Sequence, residues 1–109
     1  MKIKTIEARA GGVVTVEAGQ ICYAHAGSIV IVNDGGFCCA AAGSNVTVNF
    51  GGSCCAAPGS IVTVNGGACV AYAGSNVTIN SGRLFKGSGA NVTDRRPSAA
   101  AADDQKAQA

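Results

Sequence analysis

The sequence predicts an all-β fold: a single-stranded parallel β-helix, flattened into a two-sided solenoid of about five coils of 15–16 residues. Three observations predict it. One repeat runs through most of the chain, each half of it reads as a short strand, and glycine recurs between the halves. VVTVEAGQICYAHAGS from Val13, IVIVNDGGFCCAAAGS from Ile29 and NVTVNFGGSCCAAPGS from Asn45 align without gaps. IVTVNGGACVAYAGS from Ile61 and NVTINSGRLFKGSGA from Asn76 are one residue shorter, the gap falling after Asn65 and Asn80.

The elements follow in chain order. Residues 5–12 match the second half of a repeat and form an N-terminal half coil, ahead of regular coils over 13–90. NVTDRR (91–96) is a stub that begins another coil, so the solenoid domain is 1–96. The tail, 97–109, has no apolar period and reads as disordered or weakly helical. Within each coil, Val-Thr-Val-Asn is β-branched and alternating, and the Cys-Ala half is small. Strands this short cannot build an ordinary sandwich. Stacked in register at about 4.8 Å, they build a rod.

Period-two alternation assigns the faces. Val14/Val16, Val30/Val32, Val46/Val48, Val62/Val64 and Val77/Ile79 point inward from the first strand. Ile6/Ala8, Cys22/Ala24, Cys38/Ala40, Cys54/Ala56, Cys69/Ala71 and Leu84 point inward from the second. Lys86 also lands on an inward position, which marks the end of regular stacking.

Composition excludes more than it assigns. Eight Lys+Arg against six Asp+Glu give a formal charge of +2, too mild to argue for nucleic acid. No apolar run spans a bilayer, and the first residues carry no signal-peptide core, so a cytoplasmic protein without membrane contact is expected. The scattered Glu7, Glu17, Asp34 and Asp94 form no acid–base pair, and His25 has only Arg9 and Ala41 as neighbours in its outward row. No phosphate loop, nucleophile–base pair or C-x₂₋₄-C zinc spacing appears. A non-enzymatic protein with no cofactor and no metal is the expectation. The sequons at Asn45, Asn76 and Asn91 fall out of the repeat.

The outward rows carry what function the sequence offers. Ile21, Tyr23, Phe37, Cys39, Cys55, Val70, Tyr72 and Phe85 make an apolar face, uncharged through the middle coils. Such a face marks a contact site, and a self-similar one most simply meets its own copy across a two-fold axis. Cys39 and Cys55 sit outward on adjacent coils, within Cα range of a disulfide, and are expected reduced. Arg83, Lys86, Arg95 and Arg96 cluster at the last coil. They discourage end-to-end stacking of exposed strand edges, or form an anion-docking site for an acidic partner or, more weakly supported, nucleic acid. On the opposite face Thr15, Thr47, Thr63 and Thr78 form a row interrupted by Ile31.

Two resemblances rest on these residues. The half-repeats Cys22–Ser28, Cys54–Ser60 and Cys69–Ser75 resemble the short-period, Ala/Gly-rich β-solenoids of hypothetical bacterial and phage proteins, over about residues 5–90. Bactofilin-type polymerising solenoids are a further structural neighbour, although open-ended stacking fits charged ends poorly. That resemblance implies binding or scaffolding. The threonine row resembles the ice-binding face of solenoidal antifreeze proteins, where spaced hydroxyls and methyls order water. The expectation is a scaffold acting as a homodimer on a protein partner, one version being a phage-encoded inhibitor of a host defence complex. Ice binding is the alternative, and a reduced-thiol metal binder a more distant one.

Overall fold

The computed structural model describes residues 4–95 and shows a parallel β-solenoid of about six turns. Arg96 and the tail lie outside the described residues. Sheet A runs in the order β1 (Lys4–Ala8), β3 (Gln20–Ala24), β5 (Phe37–Ala40), β7 (Gly52–Ala56), β9 (Gly67–Ala71), β11 (Arg83–Lys86). Sheet B holds β2 (Val13–Val16), β4 (Ile29–Val32), β6 (Asn45–Val48), β8 (Ile61–Val64), β10 (Asn76–Ile79) and β12 (Asn91–Asp94). Every pairing is parallel. The half coil supplies β1 and the stub supplies β12, which is why the turns number six and not five.

Register follows the repeat. Val30 pairs with Val46 and Val46 with Val62, while Cys22, Cys38, Cys54 and Cys69 align one above another. The one-residue gap after Asn65 shortens a turn and leaves the strand register intact.

The common turn explains why the spacing holds. Ser28 N–H donates to the His25 carbonyl at 3.1 Å, with Gly27 at φ 82°. This is the pattern of a type II turn, which needs positive φ at its third residue. The Ala57–Ser60 turn uses Pro58 second and Gly59 third, the two residues that such a turn favours. From Gly27 onward the positive-φ glycine of each full-length turn also stacks on the second turn residue of the coil before it. A Cβ on Gly35 would lie 2.8 Å from the Ala18 Cβ. Where the turns shorten, Gly67 instead opens β9, and a Cβ there would collide with the Gly52 carbonyl oxygen.

Val16, Val30, Val32, Val48, Val62, Val64 and Ile79 are buried against Cys22, Cys38, Cys54, Cys69 and the stacked alanines. One wall is branched and one is small, so two sheets close over a thin core at ordinary interior density. At the ends cover thins: Ile6, Val14 and Val92 are only partly buried, and Lys86 is exposed despite its inward register.

Two substitutions test the fold by urea unfolding. Ile79→Ala should cost about 2–5 kcal/mol, since the side chain is fully enclosed. Gly67→Ala should cost more than Gly11→Ala. Gly11 has open space around it and meets only the strain of a left-handed residue, about 1–2 kcal/mol.

Candidate functional site

Sheet A turns alternate positions outward and places the sequence-assigned face as adjacent rows. Thr5, Ile21, Phe37, Ser53, Ala68 and Arg83 align in one, and Glu7, Tyr23, Cys39, Cys55, Val70 and Phe85 in the next. Tyr72 follows β9 in a third. Tyr23, Tyr72 and Phe85 are exposed, while Ile21, Phe37, Cys39, Cys55 and Val70 are half-buried against their row neighbours. Strands β3, β5, β7 and β9 carry no charged residue.

The six thiols are free and fall into two environments. Cys22, Cys38, Cys54 and Cys69 are enclosed, and their thiols hydrogen-bond along the column. Burial, reinforced by Cys38, pushes Cys22 up to about 11. Hydrogen bonding to Cys38 and Cys69, with burial, raises Cys54, while Cys38 is lowered as the acceptor of the Cys54 thiol. Cys39 and Cys55 face outward, and burial by the apolar rows raises both above the ordinary 9.0.

At the first coils the structure corrects one expectation. His25 does have a carboxylate partner: its Nε2 lies 2.9 Å from Glu7 Oε1. Glu7 aligns with Tyr23, so the contact crosses diagonally between rows, a reach available to long side chains. Reading only within the outward row overlooks it. Arg9 Nη2 stands 3.8 Å from the same oxygen. The His25 hydrogen bond, then the Arg9 charge, hold Glu7 below its ordinary 4.5. All three are substantially exposed, so this is a surface cluster.

Sheet B carries the threonine row in register: Thr15, Ile31, Thr47, Thr63, Thr78, extended by Thr93. Beside it runs a mixed ladder of exposed Val13, Ile29, Asn45, Ile61, Asn76 and Asn91. The inner asparagines bond between coils, Asn49 Nδ2 donating to Asn33 Oδ1 at 3.0 Å and Asn80 to Asn65 at 2.9 Å.

Arg83 and Lys86 lie on β11 and Arg95 follows β12. Lys86 borders an open depression of about 420 Å³ at that end, beside Asn76, Asn91 and Thr93.

Two features escape the sequence reading. Phe50 is 83% exposed, the barest large apolar side chain among the described residues. It occupies the second position of the Asn49–Gly52 turn, where strand alternation assigns no face. Ser28, Ser44, Ser60 and Ser75 are fully buried, each hydroxyl donating to the carbonyl three residues earlier at 2.6 Å. The recurring Gly-Ser is the only signal of it.

Among the described residues no group of three or more His, Cys, Asp and Glu converges, and no helix is long and apolar enough to cross a membrane. No family model, curated protein or solved structure matches this chain. What it does must be argued from its surfaces.

Two measurements check this geometry. Thiol labelling of native reduced protein, diluted until monomeric, should modify Cys39 and Cys55 and spare the other four, with a pH midpoint above 9.0 because both thiols are raised. The Glu7 carboxyl, followed by NMR, should titrate below 4.5 and return toward it in His25→Ala. The depressed value favours the folded state above 4.5, and that contribution fades as pH falls through the lower folded-state value.

Proposed function

We propose that this chain is a non-enzymatic scaffold that presents the outward face of sheet A to macromolecules, first of all to a second copy of itself. One observation carries the reading: four consecutive strands expose apolar rows without a single charge, bordered by Tyr23, Tyr72 and Phe85. Solvated sheet faces ordinarily alternate toward polar residues. Aromatic side chains concentrate at interface cores, and charged ones are depleted there. The coils of this face are in register, and a self-similar face matches its own copy under a two-fold rotation.

Arg83, Lys86 and Arg95 at the last coil, with Arg96 following, suit an acidic protein partner better than nucleic acid. The net charge is too small for a phosphate-tracking surface. Within this reading, one specific version is a phage-encoded inhibitor of a host defence complex, acting in the cytoplasm.

One observation favours a second reading. The threonine row of sheet B keeps one register over six strands, which gives hydroxyls and methyls a fixed spacing of about 4.8 Å. Ice binding would use that row. It predicts thermal hysteresis that Thr63→Lys abolishes.

Light scattering at tens of micromolar under reducing conditions tests the scaffold reading. The wild type should run as a dimer, and Val70→Asp or Tyr72→Asp as monomers with unchanged circular dichroism. A monomeric wild type contradicts self-association.

A further inference from the structure

The outward thiols have a geometry of their own. Cys39 and Cys55 are partners in register on β5 and β7, side by side in the middle of sheet A. Both are free and half-buried, so they remain reachable. Adjacent parallel strands lie about 4.8 Å apart, so thiols in the same rotamer stand about that far apart.

That spacing separates the chemistries open to a thiol pair. A disulfide draws its Cβ atoms to about 3.5–4.5 Å, closer than the strands stand. Forming one would pinch β5 and β7 together, although each is also bonded to a further strand. A metal ion held linearly between two thiolates, at about 2.3 Å from each sulfur, spans about 4.6 Å. The unstrained pair already offers that separation.

The donor set then selects the ion. No third His, Cys, Asp or Glu joins the pair among the described residues, so a tetrahedral zinc site is not completed. Two sulfurs alone suit a soft ion content with two ligands. Charge narrows the class further. The strands around the pair carry no Lys or Arg to neutralise an anionic bis-thiolate. A divalent ion with two thiolates is neutral, and an apolar surface tolerates that product best.

We propose that Cys39 and Cys55 form a two-coordinate thiolate site for a soft divalent cation, with mercury(II) as the probe that fits. Two S–H bonds release their protons to solvent, two sulfur–metal bonds form, and nothing is oxidised or reduced. The inner cysteines repeat the same spacing, but they are enclosed and hydrogen-bonded to one another. The outward pair therefore takes the ion first. The site lies within one chain but on the face assigned above to self-association, so it is loaded in the monomer. Titration in the Tyr72→Asp background keeps a failure of the thiol site distinguishable from a failure of the scaffold reading.

Mercury(II) titration of native, reduced Tyr72→Asp protein, against excess glutathione, tests the proposal. One ion per chain should be retained, with X-ray absorption showing two sulfur neighbours in a linear arrangement. Cys39→Ser and Cys55→Ser should each weaken retention by at least about a hundredfold, the loss expected when a two-point attachment becomes one-point. The double variant Ser53→Cys, Cys55→Ser keeps the number of thiols but moves one into the neighbouring row, and it should show the same loss. Undiminished retention in either single variant or in the double variant, made in that background, overturns the proposal. So does a metal with three or four sulfur neighbours, or removal of the ion by glutathione from the Tyr72→Asp protein itself.

Discussion

Main-chain hydrogen bonding between coils in strict register is the constraint from which the rest of this structure follows. Strands of four and five residues cannot hold together alone. They persist because each is bonded to the equivalent strand of the next coil, and the bonding continues through the turns. Gly11, Gly27, Gly43, Gly59 and Gly74 each donate a backbone bond to the corner glycine of the following coil, at 2.9–3.0 Å. From Gly27 onward this column leaves little room for a side chain at the corner, because each glycine rests on the residue below it. The ladder bonds keep like residues stacked even where a turn is one residue shorter, and stacking turns a sequence repeat into continuous faces.

The thin core is a second consequence. Valine on one wall faces cysteine and alanine on the other, so the two sheets close over a thin core. Larger residues enter these columns only toward the ends, as Ile6, Ile79 and Leu84. Cysteine suits the small wall because a thiol packs as a small apolar group and satisfies its weak donor on the next thiol. The buried serines solve a related problem at the corners, where each hydroxyl closes onto a turn carbonyl, and among the described residues no buried side-chain nitrogen or oxygen is left unpaired. Regularity fails only at the last coil, where Lys86 and Asp94 take inward register positions. An end so charged is a poor template for another coil, which limits growth of the rod.

Much of this is legible in the sequence, and for a physical reason. A period of 15–16 residues with alternating strands, stacked coil on coil, sets valines on one wall and cysteines on the other, so wall, face and register are readable residue by residue. Even the shortened repeats after Asn65 and Asn80 place their gaps in the turns that tighten. Alternation is silent wherever the backbone is not a strand. Phe50 stands at a corner, and the serine column lies at turn ends, so neither follows from a period of two. Glu7 and His25 meet through side-chain length across rows, which backbone register does not encode. The role of the apolar face is further removed still, since it depends on a partner whose surface this sequence does not contain.

Eight-residue half-repeats would also suit an antiparallel meander, in which each strand pairs with its immediate sequence neighbour. The two architectures bury similar residues but connect different ones. Long-range NOEs on isotope-labelled protein separate them directly. The solenoid predicts contacts from Val30 to Val46, from Val46 to Val62 and from Cys38 to Cys54, each linking residues sixteen apart. Antiparallel contacts between consecutive strands, such as β4 with β5, in place of those links would contradict the fold and every surface argued from it.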